Sequence, residues 1–253
     1  MERFESPPVW KQNEHVKSSC HLNNNVVLER IGSQSTRAMV FHVVVDNQDM
    51  ACKVLFDTEL NSHDKNVAEV KISEYLGRTY PDYFQIIYYV TSCKNLVIPE
   101  NIQNPYLMKE AAITRLREMV NNNNEITKTA KKKLDVEFRH KQDMKIYLDF
   151  LGITYQDISI PALLMMSELA YEDANSWLSK RRTPKEIEIF KDKVLDAIDI
   201  LQRENITHND LHLGNILMFD GSPKLCDFGE YLPYYVPNQD RDKFLYSLSK
   251  YIH

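Results

Sequence analysis

The sequence predicts an α+β fold of two lobes, with a strand-rich first part and a helical second part. The chain has 253 residues, 43% of them apolar and 26% charged, which is enough apolar surface for a folded core. Short apolar runs separated by turn-forming residues fill residues 26–56, as is typical of strands. Apolar side chains recur at helical spacing over residues 187–201. This composition excludes a disordered or fibrous protein.

Charge and cysteine content narrow the function classes further. Lys and Arg total 31 and Asp and Glu total 36, which gives a net charge of −5 and argues against a wholly basic nucleic-acid binder. No apolar run reaches the roughly 18 residues of a membrane helix, and the first residues lack the apolar stretch of a secretory signal. The four cysteines have no metal-binding spacing. We therefore expect reduced thiols, a cytoplasmic location and no membrane partner.

The elements of the first part follow from local patterns. Residues 1–25 are polar and asparagine-rich, and they predict an N-terminal arm. The runs MVFHVVV and MACKVLF, joined by the turn-forming DNQD, predict a β-hairpin. Residues 65–77 place apolar side chains on one helical face, with Gly77 as the expected stop. Residues 84–92 predict a further strand.

Residues 96–159 interrupt this order and predict a helical insertion. Within it, residues 128–145 hold six Lys and one Arg against three acidic residues. A solvated helix face is the first interpretation of this basic stretch, and binding of nucleic acid or an acidic partner is the alternative. After the insertion, residues 160–169 predict a buried strand, and residues 187–201 predict an amphipathic helix.

Residues 206–230 carry the residue types that phosphoryl transfer requires. This reaction needs a carboxylate to take the proton of the attacking hydroxyl, and oxygen ligands for one or two Mg²⁺ ions. Asp210 and Asn215 lie on one loop, so a base and a metal ligand share one support. The runs ILMF and PKLC predict a hairpin that brings Asp227 opposite Asn215. We therefore predict Asp210 as the base and Asn215 and Asp227 as the metal ligands.

These segments resemble the protein-kinase superfamily, with HNDLHLGN as the catalytic loop and Asp-Phe-Gly as the metal-binding segment. The resemblance covers roughly residues 26–95 and 160–250, and it implies a two-lobed protein-kinase-like fold that uses ATP and Mg²⁺. It also implies a division of the chain into an arm (1–25), an N-lobe with the insertion (26–168, insertion at about 96–159) and a minimal C-lobe (169–253).

The resemblance also implies individual roles in the first part. Ala51-Cys52-Lys53 is similar to the family's strand that carries the phosphate-binding lysine. Glu69, in the next predicted helix, would hold Lys53, and Glu74 is the alternative. The implied catalytic residues are Asp210, Lys53, Glu69 and Asn215. The implied nucleotide-binding residues are Gly32, Ala51, Lys53, Met166, Ser167, Leu169, Asp173 and Asp227.

Several positions depart from the family's pattern. Only Gly32 remains of the three glycines in the phosphate-binding loop, which would let that loop approach phosphates less closely. Asn209 stands where the family has an arginine, so activation by a phosphorylated segment is not expected. His212 stands where the family has a lysine, and it is either a phosphate or substrate contact or an exposed loop histidine. His208 is expected to pack and to hydrogen-bond the backbone near Asp-Phe-Gly.

The most concrete function implied is a Ser/Thr protein kinase that transfers the γ-phosphate of ATP to a protein hydroxyl. One alternative is a small-molecule phosphotransferase, because the loop also resembles those of aminoglycoside phosphotransferases, ABC1-like kinases and haspin. Another is a pseudokinase that acts as a binding module. The low glycine content and the insertion look like those of kinases of large DNA viruses, which would place the protein in the host cytoplasm or the virion.

Overall fold

The computed structural model describes residues 20–21, 27–31, 38–57, 62–97 and 160–251. Three predicted parts lie wholly or almost wholly outside these residues. They are the N-terminal arm, the phosphate-binding loop with Gly32, and the insertion with its basic stretch 128–145. Contacts divide the chain into two compact units. The strand unit holds the described parts of Val9–Asn66 and Val90–Met166, and the helical unit holds those of Val67–Tyr89 and Ser167–His253. The lobe boundaries predicted from the sequence stay a prediction.

Strands and helices alternate irregularly along the described residues, and the predicted mixed α+β class is confirmed. The strands are β1 (Cys20–His21), β2 (Val27–Ile31), β3 (Ala38–Val45), β4 (Gln48–Phe56), β5 (Ile87–Val97), β6 (Ile160–Glu168), β7 (Glu172–Asp173), β8 (Ile216–Phe219) and β9 (Ser222–Leu225). The helices are α1 (His63–Thr79), α2 (Ala174–Ser179), α3 (Pro184–Arg203) and α4 (Gln239–Ser249), with a 3₁₀ turn at Leu213–Asn215.

Within the described residues, one sheet has the strand order β1-β5-β6-β4-β3-β2 and a second has the order β7-β8-β9. The β3–β4 hairpin turns at Asp46 and Asn47, whose φ angles of 51° and 63° are both left-handed. Two such residues form the turn that matches the twist of a hairpin, and Asp and Asn tolerate it. The hairpin predicted from DNQD is therefore confirmed. Strand β4 carries Lys53 opposite Val40.

Helix α1 is longer than predicted, and the expected stop at Gly77 is wrong. The helix continues to Thr79. A Cβ at Gly77 would lie 2.3 Å from the carbonyl oxygen of Gln85, so glycine is needed there for close backbone approach rather than for termination. Strand β5 also begins at Ile87 instead of residue 84. Phe84 is instead buried in the core of the helical unit.

Helix α3 forms the centre of the helical unit's core. Its buried face contains Phe190, Val194, Ile198 and Leu201, as the helical spacing predicted. The helix begins at Pro184, earlier than the apolar pattern indicated, because Thr183 and Glu186 form a capping box. The Thr183 hydroxyl accepts from the backbone of Glu186, and the Glu186 carboxylate accepts from the backbone of Thr183.

Cys20 and Cys93 form a disulfide, with their Cα atoms 5.9 Å apart. The prediction of reduced thiols is therefore wrong for this pair, and it holds for Cys52 and Cys226. The reason is topological, because β1 pairs in parallel with β5 and so joins two cysteines that are 73 residues apart in the sequence. Among the described residues, no helix is long and apolar enough to cross a membrane.

Candidate functional site

The loop after α3 is fixed by a carboxylate from α4. Asp240 is 3% exposed, and its two oxygens accept the backbone N–H groups of His208 at 2.7 Å and Asn209 at 3.0 Å. Asp242, the other acidic residue in the first turn of α4, is exposed and does not make this contact. Asn209 adopts a left-handed φ of 66°. The carboxylate thus holds the backbone in a conformation that few residues adopt.

His208 has the packing role expected of it. Its ring is fully buried, lies 4.6 Å from the ring of Phe228, and makes a 2.8 Å contact between Nε2 and the carbonyl oxygen of Cys226. Burial lowers the pKa of His208 below its ordinary value. The neutral ring donates its Nε2 proton to the carbonyl of Cys226, and Nδ1 finds no hydrogen-bond partner among the described residues. The ring therefore joins the predicted catalytic loop to the segment that carries Asp227.

Asp210 lies at the open edge of this loop, with 56% of its side chain exposed. Its backbone carbonyl accepts a 2.9 Å hydrogen bond from the side-chain amide of Asn215. Asn215 is 7% exposed and sits in the 3₁₀ turn before β8. This hydrogen bond joins the two predicted residues within one loop, and it leaves the carboxylate of Asp210 accessible to solvent.

Asn215 and Asp227 offer a donor set that suits Mg²⁺. Because the Asn215 nitrogen is used by Asp210, its Oδ1 is the side-chain atom left to bind a cation. Its backbone carbonyl accepts from the N–H of Cys226 at 3.0 Å, so the backbone of Asn215 lies beside the residue that precedes Asp227. Among the described residues, no group of three or more His, Cys, Asp or Glu side chains is placed to hold a metal. Two oxygen ligands completed by nucleotide phosphates are a usual Mg²⁺ arrangement, so these residues fit that ion.

The predicted hairpin around Asp220 and Gly221 is confirmed, with φ angles of 48° and 76° in the turn between β8 and β9. Asp227, which follows this hairpin, has a left-handed φ of 64°. Strain of this kind is concentrated at functional sites. Phe228 is buried beside Phe84 and His208, which fixes the backbone on the far side of Asp227.

Glu69 lies next to Gly229. A Cβ at Gly229 would be 3.0 Å from Oε2 of Glu69 and 3.4 Å from Oδ1 of Asp227, so both carboxylates flank this glycine. Glu69 is 5% exposed, whereas the alternative Glu74 is half-buried. Lys53 belongs to the strand unit and Glu69 to the helical unit, and their ion pair stays a prediction.

Helix α1, which carries Glu69, is fastened to the end of α3. Tyr80 and Tyr75 donate hydrogen bonds of 2.5 and 2.7 Å to the carboxylate of Glu204. These bonds lower the pKa of Glu204 and raise the pKa of both tyrosines, because they stabilise the carboxylate and the protonated phenols. The sequence pattern missed this contact, because it joins positions 124 and 129 residues apart.

The predicted nucleotide-binding residues are divided between the two units. In the strand unit, Ala51 and Met166 are buried and Lys53 is half-buried. In the helical unit, the hydroxyl of Ser167 accepts from Gln85 at 3.0 Å, and Leu169 is half-buried. Asp173 caps α2 by accepting from the backbone of Ser176 at 2.8 Å. One oxygen of Asp173 therefore has a structural partner, and the predicted nucleotide roles of all these residues stay predictions.

Glu168, which precedes the predicted nucleotide-binding residue Leu169, is a further anchor that sequence reasoning missed. Its carboxylate accepts from Lys224 at 2.7 and 2.9 Å and from the backbone of Ile86 at 2.8 Å. Lys224 lies on β9, two positions before Cys226. The sequence contains no pattern that would pair these residues, because the contact depends on how the segments meet in space.

Asn209 makes hydrogen bonds through both its side-chain amide and its backbone carbonyl. Its side-chain amide donates to the carbonyl of Glu230 at 2.9 Å and accepts from Gln239 at 2.5 Å. Lys243 donates to its backbone carbonyl. The segment after Gly229 is thus hydrogen-bonded directly to the predicted catalytic loop, at the residue where the kinase pattern has an arginine.

A cavity of about 450 Å³ lies elsewhere in the helical unit. Its lining includes Tyr171, Trp177, Ile189 and Met218, with Arg182 stacked 4.4 Å from the Trp177 ring. Of the predicted site residues that the structure describes, none lines this cavity. This cavity is therefore separate from the residues that carry the predicted chemistry.

No protein-family model matches the chain. Part of it is similar to the dual specificity protein kinase Ttk of Danio rerio, with 32% identity over 96 residues, or 37% of this chain and 10% of that protein. It is also similar to the dual specificity protein kinase TTK of Mus musculus, with 35% identity over 75 residues, or 29% of this chain and 9% of that protein. The chain thus matches about a tenth of the length of these relatives.

The fold and the comparisons support a relationship to protein kinases. The α+β architecture with its antiparallel strands is compatible with the N-lobe of such an enzyme. The relatives that match in part are dual specificity kinases. The likeness to viral kinases, to haspin and to aminoglycoside phosphotransferases stays a prediction.

Proposed function

We propose that this protein is a phosphotransferase of the protein-kinase type, which uses ATP and Mg²⁺ and transfers the γ-phosphoryl group to a Ser or Thr hydroxyl of a protein. The observation that supports this most directly is the catalytic loop. Its backbone is fixed by Asp240, its buried Asn215 is bonded to Asp210, and it leaves the Asp210 carboxylate exposed. A base that is accessible on a rigid support is what general base catalysis requires.

In the proposed reaction, the carboxylate of Asp210 orients the acceptor hydroxyl and takes its proton. The acceptor oxygen forms a bond to the γ-phosphorus, the bond from that phosphorus to the bridging oxygen breaks, and ADP leaves. Asn215 and Asp227 would hold Mg²⁺, which when bound neutralises charge on the phosphates. Lys53, held by Glu69, would contact the α- and β-phosphates.

Transfer of labelled phosphate from ATP tests the proposal. The wild type is incubated with Mg²⁺ and a generic basic protein, and Asp210→Asn is compared with Asp220→Asn. Both aspartates are exposed and lie in loops of the helical unit, but Asp220 sits in the β8–β9 turn. We expect Asp210→Asn to lose about 10²–10⁴-fold in rate, the usual contribution of a general base, and Asp220→Asn to retain activity.

Analysis of the labelled amino acids separates the remaining candidates. Label on Ser and Thr alone supports the proposed specificity, and label on Tyr as well would give this chain the dual specificity named for its relatives. Binding of ATP without transfer to protein or small-molecule acceptors, in wild type and variant alike, would favour the pseudokinase alternative. Transfer only to a small-molecule hydroxyl would favour the small-molecule phosphotransferase.

A further inference from the structure

We propose that His212, together with Asp210, binds and orients the hydroxyl group that attacks the phosphate. This inference deepens the proposed function and rests on it. The ring would donate a hydrogen bond from Nε2 to the acceptor oxygen, while the carboxylate of Asp210 accepts the proton of that oxygen. His212 would thereby be a residue for the acceptor substrate rather than for the nucleotide.

The backbone of Gly214 fixes the orientation of the His212 ring. His212 caps the 3₁₀ turn, and its Nδ1 accepts a 3.0 Å hydrogen bond from the N–H of Gly214. A nitrogen that accepts such a bond carries no proton, so the neutral ring in this contact has its proton on Nε2. The turn thus presents Nε2 as a donor in a defined direction.

The donor faces the predicted base across a gap of the right size for one oxygen atom. Nε2 of His212 lies 3.9 Å from Oδ2 of Asp210, which is too far for a direct hydrogen bond. An oxygen about 2.8 Å from each atom satisfies both contacts, because two sides of that length can span a base of 3.9 Å. The two side chains are 52% and 56% exposed, so a substrate can reach this space.

A hydroxyl oxygen uses all four of its directions in this arrangement. One direction holds the bond to carbon, one holds the proton donated to Asp210, and one lone pair accepts from His212. The remaining lone pair is the one that attacks the γ-phosphorus. The proton passes to Asp210 and ADP leaves with the bridging oxygen, whereas His212 keeps its proton throughout.

Gly214 is shaped to the His212 ring. A Cβ at residue 214 would lie 2.9 Å from Cε1 and 3.0 Å from Nδ1 of that ring, closer than real Cβ atoms ordinarily approach. Among the described residues the only glycine with a positive φ is Gly221, so the backbone at Gly214 does not itself require glycine. The next atom, Nδ2 of Asn175, is at an ordinary 3.5 Å. The missing Cβ therefore makes room for the ring of His212.

Two substitutions at His212 separate its proposed role as a hydrogen-bond donor through Nε2 from its role as the cap of the 3₁₀ turn. His212→Asn keeps a short side-chain oxygen that can accept from Gly214, but it lacks the distal N–H. His212→Gln places an amide N–H close to the position of Nε2. We expect His212→Asn to lower kcat/KM for the acceptor about 10–100-fold with the KM for ATP unchanged, and His212→Gln to recover part of that loss.

Gly214→Ala tests the same proposal independently. It should reduce kcat/KM for the acceptor in the wild-type background and cause no further loss in a His212→Ala background, since the clash is with the ring. Thermal unfolding checks that each variant is folded. In the wild type, ¹⁵N NMR of the ring should find the Nε2–H tautomer, and this readout does not depend on activity.

Failure of the proposed function and failure of the inference on His212 would give different results. A wild type that transfers phosphate to no acceptor would overturn the proposed function and this inference together. An active wild type with acceptor kinetics unchanged in His212→Asn would overturn only this inference. A raised KM for ATP with unchanged acceptor kinetics would assign the ring to the nucleotide instead. An Nδ1–H tautomer, or additive losses in the Gly214→Ala comparison, would also overturn it.

Discussion

The carboxylate of Asp240 accepts a hydrogen bond from the backbone N–H of Asn209 at 3.0 Å, at the residue where the predicted catalytic loop takes its left-handed turn. The other oxygen of the same carboxylate accepts from His208 at 2.7 Å. One buried side chain from α4 therefore satisfies two neighbouring backbone donors immediately before Asp210. The position of the predicted base depends on a residue thirty positions further along the chain.

Asp240→Ala should destabilise the protein strongly. It leaves two poorly accessible N–H groups without an acceptor, and each such group costs about 1–3 kcal/mol. We therefore expect the free energy of unfolding to fall by about 2–5 kcal/mol in urea titrations. Asp242→Ala is the matched control, because Asp242 is an exposed acidic residue in the same helical turn. Equal effects of the two substitutions would contradict the role of Asp240 as the acceptor for these two N–H groups.

The bonds of Asn209 to Glu230 and Gln239 predict activity without phosphorylation of the segment after Gly229. The amide makes the contacts directly, and no arginine is present at this position to pair with a phosphate. Phosphatase treatment before the transfer assay should leave the rate within about twofold. A large, reversible loss of activity traced to Tyr231, Tyr234 or Tyr235 would contradict this prediction.

Stability should fall as the pH drops below about 6.5, because burial lowers the pKa of His208 from that value. The unfolded chain then binds a proton that the folded chain does not, so the stabilisation is complete above pH 6.5 and is lost towards the folded-state pKa. One proton can contribute a slope of at most about 1.4 kcal/mol per pH unit. Urea unfolding between pH 5 and 8 measures it.

His208→Gln supplies the comparison for this pH dependence. It keeps a donor for the Cys226 carbonyl but has no ionisable ring, so the slope below pH 6.5 should become shallower even though the variant is less stable. Identical slopes in the wild type and His208→Gln would show that His208 does not govern this range.

Lys53 and Glu69 should act together in catalysis. A lysine beside phosphates needs a carboxylate to hold its charge in place, so loss of either partner should remove most of the same effect. We expect Lys53→Met and Glu69→Gln to be clearly non-additive in a double-mutant cycle on the transfer rate. Strictly additive losses would mean that the pair does not form, and Glu74 would become the better candidate.

Thiol titration checks the disulfide. In denaturant without reductant, Cys52 and Cys226 should react, and all four cysteines should react after reduction. In the folded protein Cys226 should react first, because burial raises the pKa of Cys52 to about 12 and leaves almost no thiolate. Four reactive thiols without reductant would restore the prediction of reduced cysteines.

The sequence by itself determined the elements whose cause is local. The β3–β4 turn follows from Asp46 and Asn47, which tolerate left-handed φ, and α3 follows from its helical spacing of apolar residues. The candidate phosphoryl-transfer residues Asp210, Asn215 and Asp227 could be proposed from one segment, since the hairpin between them fixes their separation. Each of these features depends on residues that are close to one another in the sequence.

Only the tertiary structure decided the contacts between distant segments. The choice of Asp240 over Asp242, the disulfide between Cys20 and Cys93 and the role of Gly77 all depend on chain segments that meet in space. Hydrogen bonds and steric exclusion act over a few ångströms, so residues far apart in the sequence have no spacing that reveals them. Local propensity therefore specified the elements, and packing specified which side chains support the site.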